Sequence, residues 1–314
     1  MKGRVNVSVK NKHISFNLVL ERNITIITGD SGTGKTKLIN MIRDYSEEGK
    51  ASGVSLSCEK ACLVLEGKNW ETILSDTKDS VVFIEEGNKF VKSSDFANAA
   101  QNSDNYYVIV TREPLPQLPY GIEAINEIEK HGKTPKIKET YTNISVNDIN
   151  SFSYDVIIVE DSNSGFQVFK AASAGKVSEC ISAYGKTKIV PLLRAQKGKR
   201  TLVIADAAAL GAEIHDICEY KEFSGEQIDL FLPECFEWLV LKAHILGNDS
   251  NVNNILSNPI EYIYCEKYFS WEQFFEATLV AMSKGKKNLQ YKKAVIAPGY
   301  LQKANMEKII NAMK

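Results

Sequence analysis

The feature that most constrains this chain is a glycine-rich octapeptide, GDSGTGKT, at residues 29–36. It follows the apolar run ITIIT at 24–28 and precedes a segment whose apolar residues recur with a helical period. Its three glycines permit the backbone conformations that a tight loop between a strand and a helix requires. The sequence therefore predicts a strand, a loop and a helix in immediate succession, with the helix at about 35–45.

The octapeptide matches the phosphate-binding pattern G-x-x-x-x-G-K-[ST] at every fixed position. The N–H groups of such a loop point inward at phosphates, and the N-terminus of the following helix adds positive potential. We expect Lys35 to contact the β- and γ-phosphates and the Thr36 hydroxyl to ligate Mg²⁺. A glycine-rich turn that only caps a helix is the alternative. The candidate nucleotide-binding residues are Gly29, Asp30, Ser31, Gly32, Thr33, Gly34, Lys35 and Thr36.

Two acidic residues follow a later apolar run. Residues 81–84 read VVFI and precede Glu85 and Glu86, which predicts two carboxylates at the end of a buried strand. We expect Glu85 to hold Mg²⁺, through water or the loop threonine, and Glu86 to orient the attacking water. Solvated acids at a strand end are the alternative. Thr111 ends the next apolar run and is a candidate γ-phosphate contact, with Arg112 directly after it.

These motifs resemble those of the additional-strand, catalytic-glutamate division of P-loop NTPases, and the opening strands leading into the octapeptide resemble ABC-type and SMC-like ATPase heads. The resemblance covers residues 1–112 and implies an ATPase with ATP and Mg²⁺ as cofactors and with Lys35 and Glu86 as catalytic residues. Only 49 positions separate Thr36 from Glu85, too few for the helical arm of an ABC head, and no LSGGQ-like signature is found. The resemblance therefore implies a compact head, which a protein partner or a second copy of the chain completes.

Apolar runs alternate with amphipathic segments along the first half of the chain. This alternation predicts an α/β domain whose parallel sheet is covered on both faces. We place the domain boundary near residue 145, giving domains at 1–145 and 146–314. The expected elements of the first domain are short strands within 4–28, strands at 54–58, 61–65, 81–84 and 106–111, helices at 35–45, 70–76 and 93–101, and a β-hairpin at 124–129 and 136–141 that flanks residues 131–133.

The second half repeats the alternation and ends in a mainly helical tail. The expected elements are strands at 156–159, 178–183 and 202–205, helices at 164–174, 187–196 and 209–219, and tail helices at 236–245, 271–282 and 304–313. Two of these strands end in acids, because Glu160 and Asp161 follow the first and Asp206 follows the third. We expect Glu160 and Asp206 to meet at the carboxyl ends of neighbouring parallel strands.

This order of strands, acids and glycine turns resembles a TOPRIM domain, in which a glutamate and a D-x-D-x-x-G motif hold Mg²⁺ around a phosphodiester. Glu160 matches the first acid and Asp206 begins the second motif, which implies a second metal site, but Ala208 replaces the next acid. Because two-metal chemistry needs several carboxylates, we expect a degenerate TOPRIM-like scaffold. An unrelated α/β domain is the alternative. A head followed by TOPRIM resembles OLD-like proteins, which implies phage defence or mobile-element biology.

Composition narrows the classes of protein. The 38 basic and 39 acidic residues give a net charge of −1, which excludes a protein that coats nucleic acid by bulk charge. No apolar run predicts a membrane span, and the N-terminus lacks the apolar region of a secretory signal. The six cysteines form no C-x-x-C pair, so we expect reduced, buried thiols. These features favour a cytoplasmic protein without membrane association.

Three functions stay open at this point. The first is an ATPase that couples nucleotide state to the engagement of a nucleic acid or a protein partner. The second is an interaction protein that a bound nucleotide locks without hydrolysis, and the third is an ATP-regulated TOPRIM nuclease. The acid pair Glu85 and Glu86 favours the first, because a protein that only binds nucleotide has no need of a catalytic acid.

Overall fold

The computed structural model describes residues 3–130, 132–146, 153–264 and 267–313. The chain divides into two compact units, which consist of Met1–Thr142 with Pro259–Ser270 and of Asn143–Asn258 with Trp271–Lys314. We call them unit 1 and unit 2. The return of residues 259–270 to unit 1 has no counterpart in the sequence analysis. Two residues considered there, His131 of the hairpin turn and Cys265, lie outside the described residues.

Unit 1 contains two sheets and three α-helices in its described residues. A six-stranded sheet has the order β5-β6-β7-β3-β8-β9, with β9 antiparallel to β8 and the other neighbours parallel. A three-stranded antiparallel sheet has the order β2-β1-β4. The elements are β1 (Val5–Lys10), β2 (Ser15–Leu20), β3 (Ile24–Thr28), α1 (Lys35–Glu48), β4 (Ser55–Ser57), β5 (Ala61–Val64), α2 (Trp70–Asp76), β6 (Ser80–Ile84), α3 (Ser94–Gln101), β7 (Tyr106–Val110), β8 (Ile125–Glu129) and β9 (Lys136–Glu139).

The burial of each strand follows its sequence pattern. In β1 and β2 buried residues alternate with more exposed ones, because one face of this sheet packs on the core. In β6 and β7 every residue is buried, as expected for strands covered on both faces. Helix α1 contacts strands of both sheets. Its buried residues Leu38, Ile39, Met41 and Ile42 join those strands in one hydrophobic cluster.

The strand expected at 54–58 does not join the parallel sheet. Instead β4 pairs antiparallel with β1, where Leu56 lies opposite Val9. The sequence explains the difference, because β4 reads SLS and lacks the continuous apolar run of a strand buried on both faces. The hairpin of β8 and β9 is confirmed. The chain is thus mixed α/β, with a parallel core and antiparallel additions.

The strand order determines which loops lie side by side. β7 follows β6 in sequence but lies between β3 and β6 in the sheet. Because these three strands are parallel, their carboxyl ends share one edge of the sheet. The segments that begin at Gly29, Glu85 and Thr111 therefore leave the sheet at the same edge.

Unit 2 contains a four-stranded parallel sheet with the order β11-β10-β12-β13. β13 and α8 were absent from the sequence-based expectation, because both are short and β13 includes Asp229. The helix expected from 209 begins later, since residues 207–209 form a 3₁₀ turn. The elements are β10 (Val156–Val159), α4 (Ser164–Ser173), β11 (Glu179–Ser182), α5 (Ile189–Ala195), β12 (Thr201–Ile204), α6 (Ile214–Phe223), β13 (Ile228–Phe231), α7 (Phe236–Lys242), α8 (Ser250–Ser257), α9 (Trp271–Ser283) and α10 (Lys303–Asn311).

The described helices are too short or too polar to cross a bilayer. Across residues 3–130, 132–146, 153–264 and 267–313, no helix combines the length and the apolar character that a membrane span requires.

Candidate functional site

The loop between β3 and α1, which we call the glycine loop (residues 29–34), has all three of its glycines at positive φ. Gly29 and Gly34 have φ angles of +108° and +115°, a region that side chains disfavour. A Cβ atom added to Gly34 would also lie 3.2 Å from Cζ of Phe16, on β2. Both conformation and space therefore require glycine where α1 begins.

Lys35 is the first residue of α1, and its side chain folds back toward the start of the glycine loop. Nζ donates hydrogen bonds to the carbonyl oxygens of Gly29 and Asp30, at 2.5 and 2.6 Å. The residue is only 6% exposed. Burial, followed by the positive charge of Arg112, lowers the pKa of Lys35, while the charges of Glu86 and Asp30 act in the opposite direction. The Lys35 side chain is thus buried against the backbone of the glycine loop.

The two acids after β6 have different partners. Glu85 binds the α1 residue Arg43, with 2.9 Å between Oε2 and Nη2, and the same guanidinium also binds Glu66. Glu86 is more exposed and pairs with Arg112 at 3.6 Å. The charge of Glu86 also acts on Lys35. Of the two acids, Glu86 is therefore the one associated with the glycine loop, while Glu85 is tied to α1.

Arg112, and not Thr111, contacts the glycine loop after β7. Arg112 Nη2 donates a hydrogen bond to Ser31 Oγ at 3.0 Å. The Thr111 hydroxyl instead closes a local turn, because Oγ1 lies 3.0 and 3.1 Å from the backbone N and O of Glu113. A cavity of about 210 Å³ lies beside this turn, lined in part by Glu86 and Thr111. The predicted γ-phosphate contact thus lines a cavity beside the acid pair.

The structure adds a cation that the sequence analysis missed. A Cβ atom on Gly32 would lie 3.8 Å from Nζ of Lys130, which places this ammonium group against the glycine loop. Lys130 comes one residue after β8, the strand that pairs with β3 on the side opposite β7. Its position past the end of a strand next to β3 is the signal that could have identified it. Thr36, the predicted Mg²⁺ ligand, is exposed in the first turn of α1.

In unit 2, Glu160 and Asp206 lie together as the sequence predicts. They follow β10 and β12, which are parallel neighbours, and the backbone N–H of Asp206 donates to Glu160 Oε2 at 3.1 Å. Burial raises the pKa of Glu160 to about 7. Burial, and then the negative charge of Glu160, raises the pKa of Asp206. A metal role for these two acids stays a prediction.

The cluster of acids around Asp206 is larger than the set that the sequence analysis names. Besides Glu160 and Asp161, the charges of Glu237 on α7 and Glu272 on α9 also raise the pKa of Asp206. Glu237 is 1% exposed, and its Oε1 accepts a hydrogen bond from the Tyr291 hydroxyl at 2.5 Å. Neither helix adjoins β12 in sequence, so a motif search around Asp206 cannot detect these two acids.

Protein donors already bind several of these carboxylates. Asp161 accepts the backbone N–H groups of Gly165 and Phe166 at the start of α4. Lys293 Nζ binds Glu272 at 2.6 Å and Glu276 at 3.2 Å. The acids around Glu160 and Asp206 are therefore partly neutralised within the protein.

Another group of side chains in unit 2 has potential metal-ligating atoms close together. In the described parts of the chain, the group of three whose ligand atoms all lie within 4.8 Å of one another is His215, Asp216 and Glu219, exposed on α6. Exposed acidic groups are common without an ion, so this group identifies no site.

No family model, curated protein or solved structure matches the chain. The chemistry of both sites therefore rests on their own residues and geometry.

Glu160 should make the stability of the protein depend on pH. Its pKa is raised to about 7 from an ordinary 4.5, so the folded protein holds this proton more tightly than the unfolded chain. The free energy of unfolding should therefore fall as pH rises from 4.5 to 7, and the loss should persist above pH 7. In urea unfolding at pH 5 and pH 8 without divalent cations, we expect Glu160→Gln to reduce this loss by about 2 kcal/mol.

The matched control is Glu219→Gln, a change of the same chemistry at an exposed position of the same unit. It should keep the pH dependence of the wild type. Equal pH dependence in wild type and Glu160→Gln would contradict the role assigned to Glu160.

Proposed function

We propose that this protein binds Mg·ATP at the glycine loop and hydrolyses it, coupling nucleotide state to the engagement of a nucleic acid or a protein partner. The observation that carries the proposal is the position of three cations, Lys35, Arg112 and Lys130, around a loop that opens a helix. Loop N–H groups and a helix N-terminus favour anions, and cations held beside them favour a polyphosphate. The match of residues 29–36 to the phosphate-binding pattern supports the same ligand.

The strand order supports hydrolysis with Glu86 as the acid. β7 separates β3, which leads into the glycine loop, from β6, which ends at the acid pair. β3 and β6 are therefore two strand spacings apart, roughly 10 Å. In the proposed complex, a γ-phosphate and an attacking water would lie between Lys35 and Glu86. The strand order is also the arrangement for which the additional-strand division of P-loop NTPases is named.

The residues present suit a Mg²⁺ ion that accompanies the nucleotide. Mg²⁺ in nucleotide sites keeps several waters and takes few protein oxygens besides those of the phosphates. The exposed Thr36 hydroxyl and the Glu85 carboxylate would supply those oxygens. Because Oε2 of Glu85 binds Arg43, only its other oxygen is available unless this ion pair opens. The ion would neutralise phosphate charge and polarise the γ-phosphate.

A non-hydrolysing, nucleotide-locked interaction protein is the second candidate. The observation that favours it is the ion pair between Glu86 and Arg112. This ion pair engages the carboxylate that the first candidate assigns to the attacking water.

For unit 2 we propose a TOPRIM-like scaffold without nuclease activity. The acids near Asp206 are bound by Lys293, Tyr291 and backbone N–H groups, and burial favours protonation of Glu160 and Asp206. Both effects weaken the attraction of these carboxylates for divalent cations.

Lys35→Ala should weaken Mg·ATP binding, because it removes the buried cation that the proposal assigns to the β- and γ-phosphates. A charge-assisted contact of this kind is worth on the order of 2–3 kcal/mol, which corresponds to roughly 30- to 150-fold in affinity. Isothermal titration calorimetry measures the change. Lys37→Ala, an exposed position of the same helix, is the control and should bind ATP normally. Unchanged affinity in folded Lys35→Ala protein would refute the nucleotide site.

Glu86→Gln should separate binding from chemistry. The amide keeps the shape of the side chain but removes the charge that orients water, so ATP should bind while turnover falls about 100-fold or more. Phosphate release, measured with and without added DNA, tests this expectation. Glu71→Gln, at an exposed position on α2, serves as the control. Absence of turnover in the wild type under every condition would favour the second candidate.

Unit 2 should not cleave nucleic acid. We expect purified protein to leave supercoiled plasmid intact in Mg²⁺ or Mn²⁺, since protein donors bind several of the acids near Asp206 and burial raises the pKa of Glu160 and of Asp206. Agarose gels of plasmid incubated with wild-type protein measure this directly. Nicking that disappears in both Glu160→Ala and Asp206→Ala would establish the nuclease alternative.

A further inference from the structure

Cys58 begins the bend that joins β4 to β5 in unit 1, and Cys62 is the second residue of β5. Both side chains are half-buried, whereas the sequence analysis expects buried thiols. Their C-x₃-C spacing is wider than a C-x-x-C motif, yet the bend brings both sulfurs to one residue. The Lys60 N–H donates to Cys58 Sγ at 3.4 Å, and Cys62 Sγ lies 3.7 Å from the Lys60 carbonyl oxygen. The two thiols therefore contact the backbone N–H and the backbone C=O of the same residue, Lys60.

The two sulfurs are electrostatically distinct. Hydrogen bonding with the Cys62 thiol, helped by the backbone N–H of Lys60, lowers the pKa of Cys58 to about 6 against the opposing effect of burial. The same hydrogen bond, together with burial, raises the pKa of Cys62. The Lys60 ammonium group is bound to Asp79 at 2.6 Å. The hydrogen bond between the two groups thus favours the thiolate at Cys58 and the thiol at Cys62.

The other described cysteines differ from this pair. Burial raises the pKa of Cys180, Cys218 and Cys235, and Cys235 is fully buried. Thiols of this kind react slowly, because the thiolate is the nucleophile. They provide reference thiols within the same molecule.

We propose that Cys58 and Cys62 form a redox-active dithiol, which low-molecular-weight disulfides such as oxidised glutathione convert to an intramolecular disulfide. The Cys58 thiolate attacks one sulfur of glutathione disulfide and releases one glutathione thiolate, leaving a mixed disulfide on Cys58. Cys62 then loses its proton and attacks Cys58 Sγ, which expels the second glutathione. The protein loses two electrons and two protons, and one glutathione disulfide becomes two glutathione molecules. This inference is independent of the proposed nucleotide site.

The position of the pair gives the disulfide a structural effect. β4 belongs to the antiparallel sheet, whereas β5 is an edge strand of the parallel sheet, and α1 packs against both. A Cys58–Cys62 bond would close the bend between the two sheets. Oxidation would therefore restrict the connection that lies beside the helix of the glycine loop.

Two measurements on the intact protein test the proposal. In the first, mixtures of reduced and oxidised glutathione equilibrate with the protein, acid stops exchange, and free thiols are alkylated before peptide mass spectrometry. We expect a Cys58–Cys62 disulfide, with the loss of two hydrogen atoms. In the second, iodoacetamide at pH 6.5 should alkylate Cys58 about tenfold faster than Cys218, since a larger thiolate fraction outweighs lower nucleophilicity.

Single-cysteine variants identify the role of each thiol. Cys62→Ser should stop at the mixed disulfide with glutathione and should slow alkylation of Cys58 at pH 6.5. Cys180→Ser, the control, should form the disulfide as the wild type does. Cys58 and Cys62 that remain reduced in excess oxidised glutathione would overturn the proposal. A mixed disulfide that persists on wild-type Cys58 would also overturn it, because Cys62 would then not resolve it.

Discussion

The packing of α1 against two sheets is the constraint on which the candidate nucleotide site depends. Leu38, Ile39, Met41 and Ile42 occupy one side of the helix, and their burial fixes its position relative to β3. Burying side chains of this size contributes roughly 1.5–3 kcal/mol each, far more than a surface ion pair. Since Gly34 connects directly to this helix, the core determines where the glycine loop and Lys35 lie.

Charged side chains that follow strands at one edge of the parallel sheet lie near that loop. Strand ends that are distant in sequence each add one group: Lys130 after β8, Arg112 after β7 and Glu86 after β6. The preceding residue, Glu85, binds Arg43 on α1 instead. The two consecutive acids therefore pair with different arginines. Arg112 is shared between Ser31 and Glu86. The guanidinium thus connects the glycine loop to the second acid after β6.

Local patterns in the sequence were sufficient to predict the strand, loop and helix around residues 29–36, because period and glycine spacing are local properties. They did not predict that β4 pairs with β1, since the partner of a three-residue strand is decided by packing between distant segments. Lys130 and Glu237 were missed for a related reason. Lys130 follows β8, and Glu237 lies on α7. Both are distant in sequence from the other residues of their sites, so no short motif contains them together.

Unit 1 includes Pro259–Ser270, and the Gly3 N–H donates to the Ile260 carbonyl at 3.0 Å. The residues that complete unit 1 are therefore translated only after β10–β13 and α8. Domains generally fold as the ribosome delivers them, at about 5–20 residues per second. Here the first unit must wait roughly 6–26 s after residue 142 is added before its last segment is complete. A chaperone that meets the nascent chain would find the Gly3 N–H, two residues before β1, still without its partner.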